Sequence, residues 1–357
     1  MPSKNLLKPS GLNAFRRFLQ EEAPTLRQAP ILVIASEPAD DHLRPLKAVE
    51  DACKAVNFVL TQEMGLRTVQ STISAAFPTT SDLEQRLELI RRTGASSVVG
   101  VGAGAAIDLS KVLPHEKSIE HLMLVPCTSA AMVAASSSHS LLLDNADETL
   151  IPSPSVLGTP QTTTNIISLE SSYVASAELS HVLYATLAIV LDAGYRKSSH
   201  PILAEVVRNL VQVLENPDRD FDHDTSTELL YQAGKLLSYG LGQEDRSVPI
   251  ALSSSLIPTI FPHVHALTFF ASLLPGICEL VIEQNHEDDD FAKLVQLVKS
   301  ISPESIPQLA VLNDAGLDGF SVPDMSLSHI QSNQARWKSF DVPNKVLLQI
   351  LEQSVHN

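Results

Sequence analysis

The residues best suited to chemistry lie in one stretch, Ser96–Lys111, which reads SSVVGVGAGAAIDLSK. The apolar run Val98–Val101 has strand character, Gly102 and Gly104 follow at once, and Ala105 to Lys111 has the composition of a helix. A strand that enters a helix through glycines leaves several backbone N–H groups aimed at one point, with the positive end of the helix dipole behind them. That point suits a phosphate. A tight turn with no ligand has the same spacing, so Gly-x-Gly by itself leaves both readings open. A second candidate is Pro126-Cys127-Thr128-Ser129-Ala130-Ala131-Met132, directly after the apolar run Leu122–Val125. It reads either as a ligand-facing loop or as a plain connection rich in serine and alanine, extended by Ala134–His139.

The elements that must position these residues form an alternating series. A helix over Gly11–Glu22 precedes the strand Ile31–Ala35, and a helix over Leu46–Val56 precedes a weaker strand candidate at Phe58–Leu60. Ser81–Thr93 has helical periodicity through Leu83, Leu87, Leu89 and Ile90, and then come the two runs that carry the candidates. Strands alternating with helices predict an open α/β sheet of parallel strands, whose ligands sit beyond the C-terminal strand ends. Both candidate turns lie at such ends. From Leu141 to Thr164 the chain carries turn residues and prolines, and the domain boundary is placed near Ile166, giving an α/β domain over 1–165 and a second domain over 166–357. Beyond it, strand signals vanish. Ser176–Leu191, Pro201–Leu214, Thr225–Leu241, Val264–Ile282, Asp289–Ile301 and Asn344–Ser354 all read as helices, so the second domain is all-α.

Composition narrows the function. The 357 residues, 44% hydrophobic and 18% charged, describe a globular chain long enough for two domains. A net charge of −16 without a basic cluster argues against a nucleic-acid partner and for a small-molecule substrate. Cys53, Cys127 and Cys278 are odd in number and far apart, which excludes a disulfide framework and points to a reducing, cytoplasmic setting. The N-terminus lacks the unbroken apolar core of a signal peptide. Val248–Cys278 contains no Asp, Glu, Lys or Arg, yet Pro249, Pro258, Pro262, Pro275, three consecutive serines and two histidines suit a buried helical core better than a membrane span. The acidic residues Glu287–Asp290 read as a helix start, and Asp220, Asp222, His223 and Asp224 as a solvated loop.

The order strand, glycines, small residues, Asp108 and Lys111 resembles the GGGSxxD…K segment of the dehydroquinate synthase-like superfamily, which includes the iron-type alcohol dehydrogenases and maleylacetate reductases. Pro126–Met132 resembles that superfamily's PTTxxGSE-type loop, and Ser155-Val156-Leu157 resembles the strand that pairs back after it. Ser176–Asn216 and Phe340–Leu347 resemble maleylacetate reductases in order. The resemblance implies an N-terminal dinucleotide-binding domain and an all-helical second domain. It implies NAD or NADP bound by Gly102, Gly104, Asp108 and Thr128, with Lys111 stabilising the turn. It also implies a possible homo-oligomer.

The family pattern is eroded at its metal site. Members hold iron with an Asp and a His four residues apart on the first long helix and two later histidines. The matching positions here are Ser180, Tyr184, the serines Ser253–Ser255 and His265, with His263 as the fallback if the register slips. One imidazole among hydroxyls cannot hold a catalytic divalent metal against water, so no metal is expected. Tyr184 and His265 are then the groups left to polarise a carbonyl and supply a proton, with Ser180, Ser254 and His263 lining the substrate. The expected function is a metal-independent NAD(P)-linked reductase of a small carbonyl or enone. A catalytically inactive scaffold and a repurposed non-redox cyclase or lyase are the alternatives. Glu37 and Asp40, after the first strand, lean toward a ribose 2′-hydroxyl and hence toward NAD.

Overall fold

A computed structural model of the chain describes residues 5–6, 11–37, 47–74, 77–116, 118–137, 139–144, 149–154, 162–169, 179–196, 201–216, 222–239, 247–249, 252, 256–257, 264, 266–282, 288–307, 309 and 350. The chain divides into two compact units, Met1–Ala177 and Glu178–Asn357. The first unit runs on past the expected break at residue 165, because Ile166, Ile167 and Leu169 are buried in it.

The first unit contains β1 (Asn5–Leu6), α1 (Leu12–Leu26), β2 (Ile31–Ser36), α2 (Lys47–Phe58), β3 (Thr68–Ile73), α3 (Thr80–Thr93), β4 (Ser97–Gly102), α4 (Gly104–Glu116), β5 (His121–Pro126), α5 (Ser129–Ser136), β6 (His139–Asp144), β7 (Thr149–Pro154) and β8 (Thr163–Ile166). Six strands form one parallel sheet in the order β3-β2-β4-β5-β8-β1, and β6 and β7 form an antiparallel pair. The central strands β4 and β5 are buried along their whole length, as parallel strands covered by helices on both faces must be. Ile31, Val33, Val99, Val101, Met123 and Val125 belong to one core with Phe15 and Leu19 of α1 and Val49 and Val56 of α2. On the opposite face α4 lies tight against β4: a Cβ at Gly100 would come within 2.7 Å of Ser110 Cβ.

The sheet differs from the sequence expectation at its margins. Phe58–Leu60 is no strand; Phe58 ends α2 and Val59–Glu63 continue as a π-helical turn with Val59 and Leu60 buried. The strand lies further on, at Thr68–Ile73, where TVQSTI offers only sparse apolar residues because an edge strand buries little. Ala134–His139 is not a loop. The Ala, Met and Val residues of SAAMVAAS carry α5 to Ser136, and His139 already belongs to β6. The β6–β7 pair was hidden by Pro152 and Pro154, which read as turn residues. Ser155–Leu157 lies outside the described residues, and β8 is the strand beside β5.

At the outer edge of β3 one carbonyl is bonded by a side chain of α3. Arg86 of α3 is 7% exposed, pairs with Asp82 at 2.9 Å and donates from Nη2 to the carbonyl of Thr72. Asp82 in turn closes a capping box with Thr79 at the start of α3. The guanidinium therefore ties an edge carbonyl, a helix cap and a buried ion pair together.

The second unit contains α6 (Leu179–Tyr195), α7 (Leu203–Glu215), α8 (His223–Tyr239), α9 (Ala266–Ser272), α10 (Leu274–Ile282), α11 (Asp289–Lys299) and a 3₁₀ turn, Pro303–Ser305. The helix α6 is apolar on most sides, with Val182, Ala185, Leu187, Ala188, Ile189, Val190 and Leu191 all buried, and it packs against α8, α9 and α10. Val264–Ile282, expected as one helix, is broken at Leu273 into α9 and α10. Asp288 caps α11 by accepting from Phe291 N–H at 2.9 Å, in line with the helix-start reading of that acidic run. Asp222 is a helix cap as well, not simply a solvated loop residue. It accepts from Thr225 N–H at 2.8 Å, a bond that lowers its pKa. Asp192 of α6 is buried, pairs with Arg196 at 2.9 Å and accepts the Val248 N–H at 3.2 Å. Asn344–Ser354 lies outside the described residues except for the helical, buried Ile350. Among the described residues, no helix is long and apolar enough to cross a membrane.

Replacing Arg86 by Met should lower stability by about 2–4 kcal/mol, because it takes the cation from a partly buried carboxylate and leaves an edge carbonyl without its donor. A urea midpoint within error of the original would contradict this account of the edge.

Candidate nucleotide-binding site

Two helices begin side by side at the C-terminal edge of the sheet. β4 and β5 are neighbours with Gly102 paired to Pro126, and the Cys127 N–H donates to the Gly102 carbonyl at 2.9 Å. α4 therefore starts at Gly104 next to the start of α5 at Ser129. The first N–H groups of each helix have no acceptor within the helix, and both dipoles place positive charge at this edge. Gly102, Gly104 and Thr128, proposed from sequence as binding residues, come together here.

The glycine turn is fixed by a residue the sequence reading did not single out. Gly102 has φ 127°, a region that strains any other residue, and a Cβ there would lie 2.6 Å from Ser36 Cβ and 3.1 Å from Ser36 N. Ser36 ends β2, and its Oγ accepts the Ala103 N–H at 2.8 Å. Only the adjacency of β2 and β4, which is not visible along the chain, identifies it. Gly104 is the opposite case. Apart from its chain neighbours and its own helix backbone, a Cβ there would meet no atom of the described residues within 4 Å, so the space beside the first turn of α4 is open.

Thr128 is the N-cap of α5 and accepts the Ala131 N–H on Oγ1 at 3.0 Å. Its hydroxyl proton has no protein acceptor among the described residues. Asp108 lies on α4, with its side chain 13% exposed and 3.7 Å from Lys111 Nζ. Lys111, expected to stabilise the glycine turn, reaches in a different direction. It sits two helical turns along α4, 1% exposed, where Nζ donates to the carbonyl of Ala134 and to Ser137 Oγ at 3.3 Å, at the far end of α5. Burial lowers its pKa to about 8 against the opposing pull of Asp108.

Other titratable groups near the turn are quiet. Cys53 lies under the turn, with Sγ 3.7 Å from the Val101 carbonyl and 3.9 Å from that of Ser36, and burial pushes its pKa up to about 11. Burial raises Cys127 as well, so both thiols are protonated at neutral pH and neither is a ready nucleophile. Glu37 follows β2 and its N–H donates to the Ile73 carbonyl at 2.9 Å; Asp40 lies outside the described residues.

In the second unit, Ser180 and Tyr184 lie one turn apart on α6 and are half-buried. Tyr184 donates its hydroxyl proton to Ser305 Oγ at 3.0 Å, and Ser305 donates on to the Ser302 carbonyl at 2.7 Å. Its phenol is thus engaged with the 3₁₀ turn. Ser254, His263 and His265 lie outside the described residues. Among the described residues, no group of three His, Cys, Asp or Glu side chains is placed to hold a metal ion. Neither Ser180 nor Tyr184 is a good ligand for a divalent metal while neutral, so this pair does not fit one.

The two glycines should behave oppositely. Gly102→Ala should cost about 2 kcal/mol or more through strain and collision with Ser36, whereas Gly104→Ala should leave stability unchanged or slightly raised. Thermal unfolding of the two variants checks this, and equal losses would refute it. Lys111 carries a pH signature. Its folded pKa lies below the unfolded value of 10.5, so the unfolded chain binds more protons between about pH 8 and 10.5 and stability from this group rises across that window. Urea unfolding of the wild type relative to Lys111→Met should therefore improve by up to about 3 kcal/mol from pH 8 to 10.5, and a flat or falling difference would contradict it.

No protein-family profile matches the chain, and no curated protein is similar to it in sequence. Solved structures match it along nearly its whole length. A maleylacetate reductase from Agrobacterium tumefaciens superposes with a TM-score of 0.62 at 15% identity, covering 99% of this chain and 96% of that one. An iron-containing alcohol dehydrogenase from Thermotoga maritima gives 0.66 at 14% identity, covering 99% and 98%. An NADH-dependent butanol dehydrogenase A from the same organism gives 0.67 at 13% identity, covering 99% and 97%. At these identities the likeness is one of fold, and the chain has the fold shared by maleylacetate reductases and iron-containing alcohol dehydrogenases.

Proposed function

We propose that the chain is an NAD(P)-dependent oxidoreductase that reduces a small carbonyl or enone substrate without a bound catalytic metal. The carrying observation is the pair of helix N-termini at Gly104 and Thr128, with open space where a Cβ of Gly104 would stand. That cradle fits the pyrophosphate of a dinucleotide. The NADH-dependent butanol dehydrogenase with the same fold lends support to a nicotinamide cofactor. When bound, a nicotinamide supplies the hydride.

The protein's own residues do the rest. The N–H groups at the start of α4 and the hydroxyl proton of Thr128 hold the anion, and Ser36 keeps the turn open to it. Glu37, next to the end of β2, favours the ribose hydroxyls of NAD over the phosphate of NADP. Tyr184 and His265 serve the substrate oxygen, one as a phenol donor and the other as an imidazole that titrates near neutral pH. The proposed reaction uses no metal, since hydroxyls stand at Ser180 and Tyr184. A cytoplasmic setting fits cysteines none of which is in a disulfide. One observation favours the alternative of an inactive scaffold: the Tyr184 proton is already given to Ser305.

Calorimetric titration of the chelator-treated protein with NADH and NADPH tests the reading. Micromolar binding without metal is expected, weakened about tenfold or more by Gly104→Val, which fills the open space. Failure of the folded protein to bind either nucleotide would leave the scaffold. A strict need for added iron or zinc would overturn metal independence.

A further inference from the structure

The helix α5 contains no charged residue and is buried along nearly its whole length. Nothing ionic of its own sets its position. At its N-terminus Thr128 caps it, and at its C-terminus the last four carbonyls find no N–H donor within the helix. One of these, Ala134 O, accepts from the ammonium of Lys111, which also reaches Ser137 Oγ. Lys111 belongs to α4, the other helix of the site, and Asp108 on the same helix lies 3.7 Å from its Nζ.

The consequence is geometric and electrostatic together. The ammonium joins the body of α4 to the tail of α5, while the Cys127 N–H to Gly102 carbonyl bond joins their heads. Two joints fix the direction of α5, and hence where its N–H groups and Thr128 point relative to those of α4. A cation at the C-terminus also offsets the negative end of the α5 dipole, so the positive end at Thr128 is less compensated.

We infer that Lys111 is a positioning residue for the nucleotide pyrophosphate, aligning α5 so that two helix N-termini meet one anion. The inference rests on the nucleotide-binding reading above. It assigns Lys111 to the joint between the helices and not to contact with the ligand.

The test compares wild type, Lys111→Met and Lys111→Arg for affinity toward ADP and NADH by calorimetry, well below each variant's melting temperature. Lys111→Met should bind both about tenfold more weakly, and Lys111→Arg, which keeps the charge and N–H donors, should recover most of the loss. A folded Lys111→Met with a lower melting temperature but wild-type ADP affinity would overturn the inference and leave the nucleotide site intact. If the wild type binds none of ADP, NADH and NADPH, the nucleotide reading falls and this inference with it. Should Lys111→Met not fold, Ser137→Ala loosens the same joint and should weaken ADP binding about threefold; unchanged affinity would overturn the inference.

Discussion

The first unit depends on the pairing of β4 with β5. Gly102 faces Pro126 across that pair, and the Cys127 N–H continues the ladder one step further to the Gly102 carbonyl. Because the strands are parallel, both chains leave the sheet at the same edge and in the same direction. Two helices must then begin within reach of each other. The concentration of unpaired N–H groups at that edge is a product of strand order, and any change that slipped the register by one residue would disperse it.

Much of this was legible along the chain, because the signals were local. Val98–Val101 and Leu122–Val125 are continuous apolar runs, as doubly covered strands require, and the helices predicted around them lie within a few residues of their observed ends. The failures were tertiary. Thr68–Ile73 is polar because the edge of a sheet tolerates polarity, so its strand identity comes from β2 and not from its own residues. The serines of Ser129–Ser136 suggested a turn, yet Ser136 bonds back to the Met132 and Val133 carbonyls and stays helical. Ser36 and Lys111 were illegible in their roles for the same reason: each acts on a partner more than 20 residues away, and no spacing rule reaches that far.

In the second unit the organising feature is the apolar α6, which binds its neighbours by burial. Polar residues within it are held by specific partners: Thr186 by the Val182 carbonyl, Asp192 by Arg196 and Val248 N–H, Tyr184 by Ser305. Ser180 and Tyr184 lie one turn apart on α6 and carry hydroxyls, which are weak donors to a divalent metal while neutral. The fold can persist while the chemistry on that face changes, because burial elsewhere on α6 carries its stability.

Gly104 leads to a different kind of conclusion. Nothing among the described residues requires a glycine there: its backbone lies outside the left-handed region, no neighbouring element crowds the missing side chain, and alanine is the better helix former. Internal mechanics would let the position drift toward alanine at no cost to folding. Gly102, by contrast, is locked by Ser36 whether or not anything binds. The two glycines thus differ in kind: one is held by the packing of β2 against β4, and the other leaves a gap that the fold itself does not use.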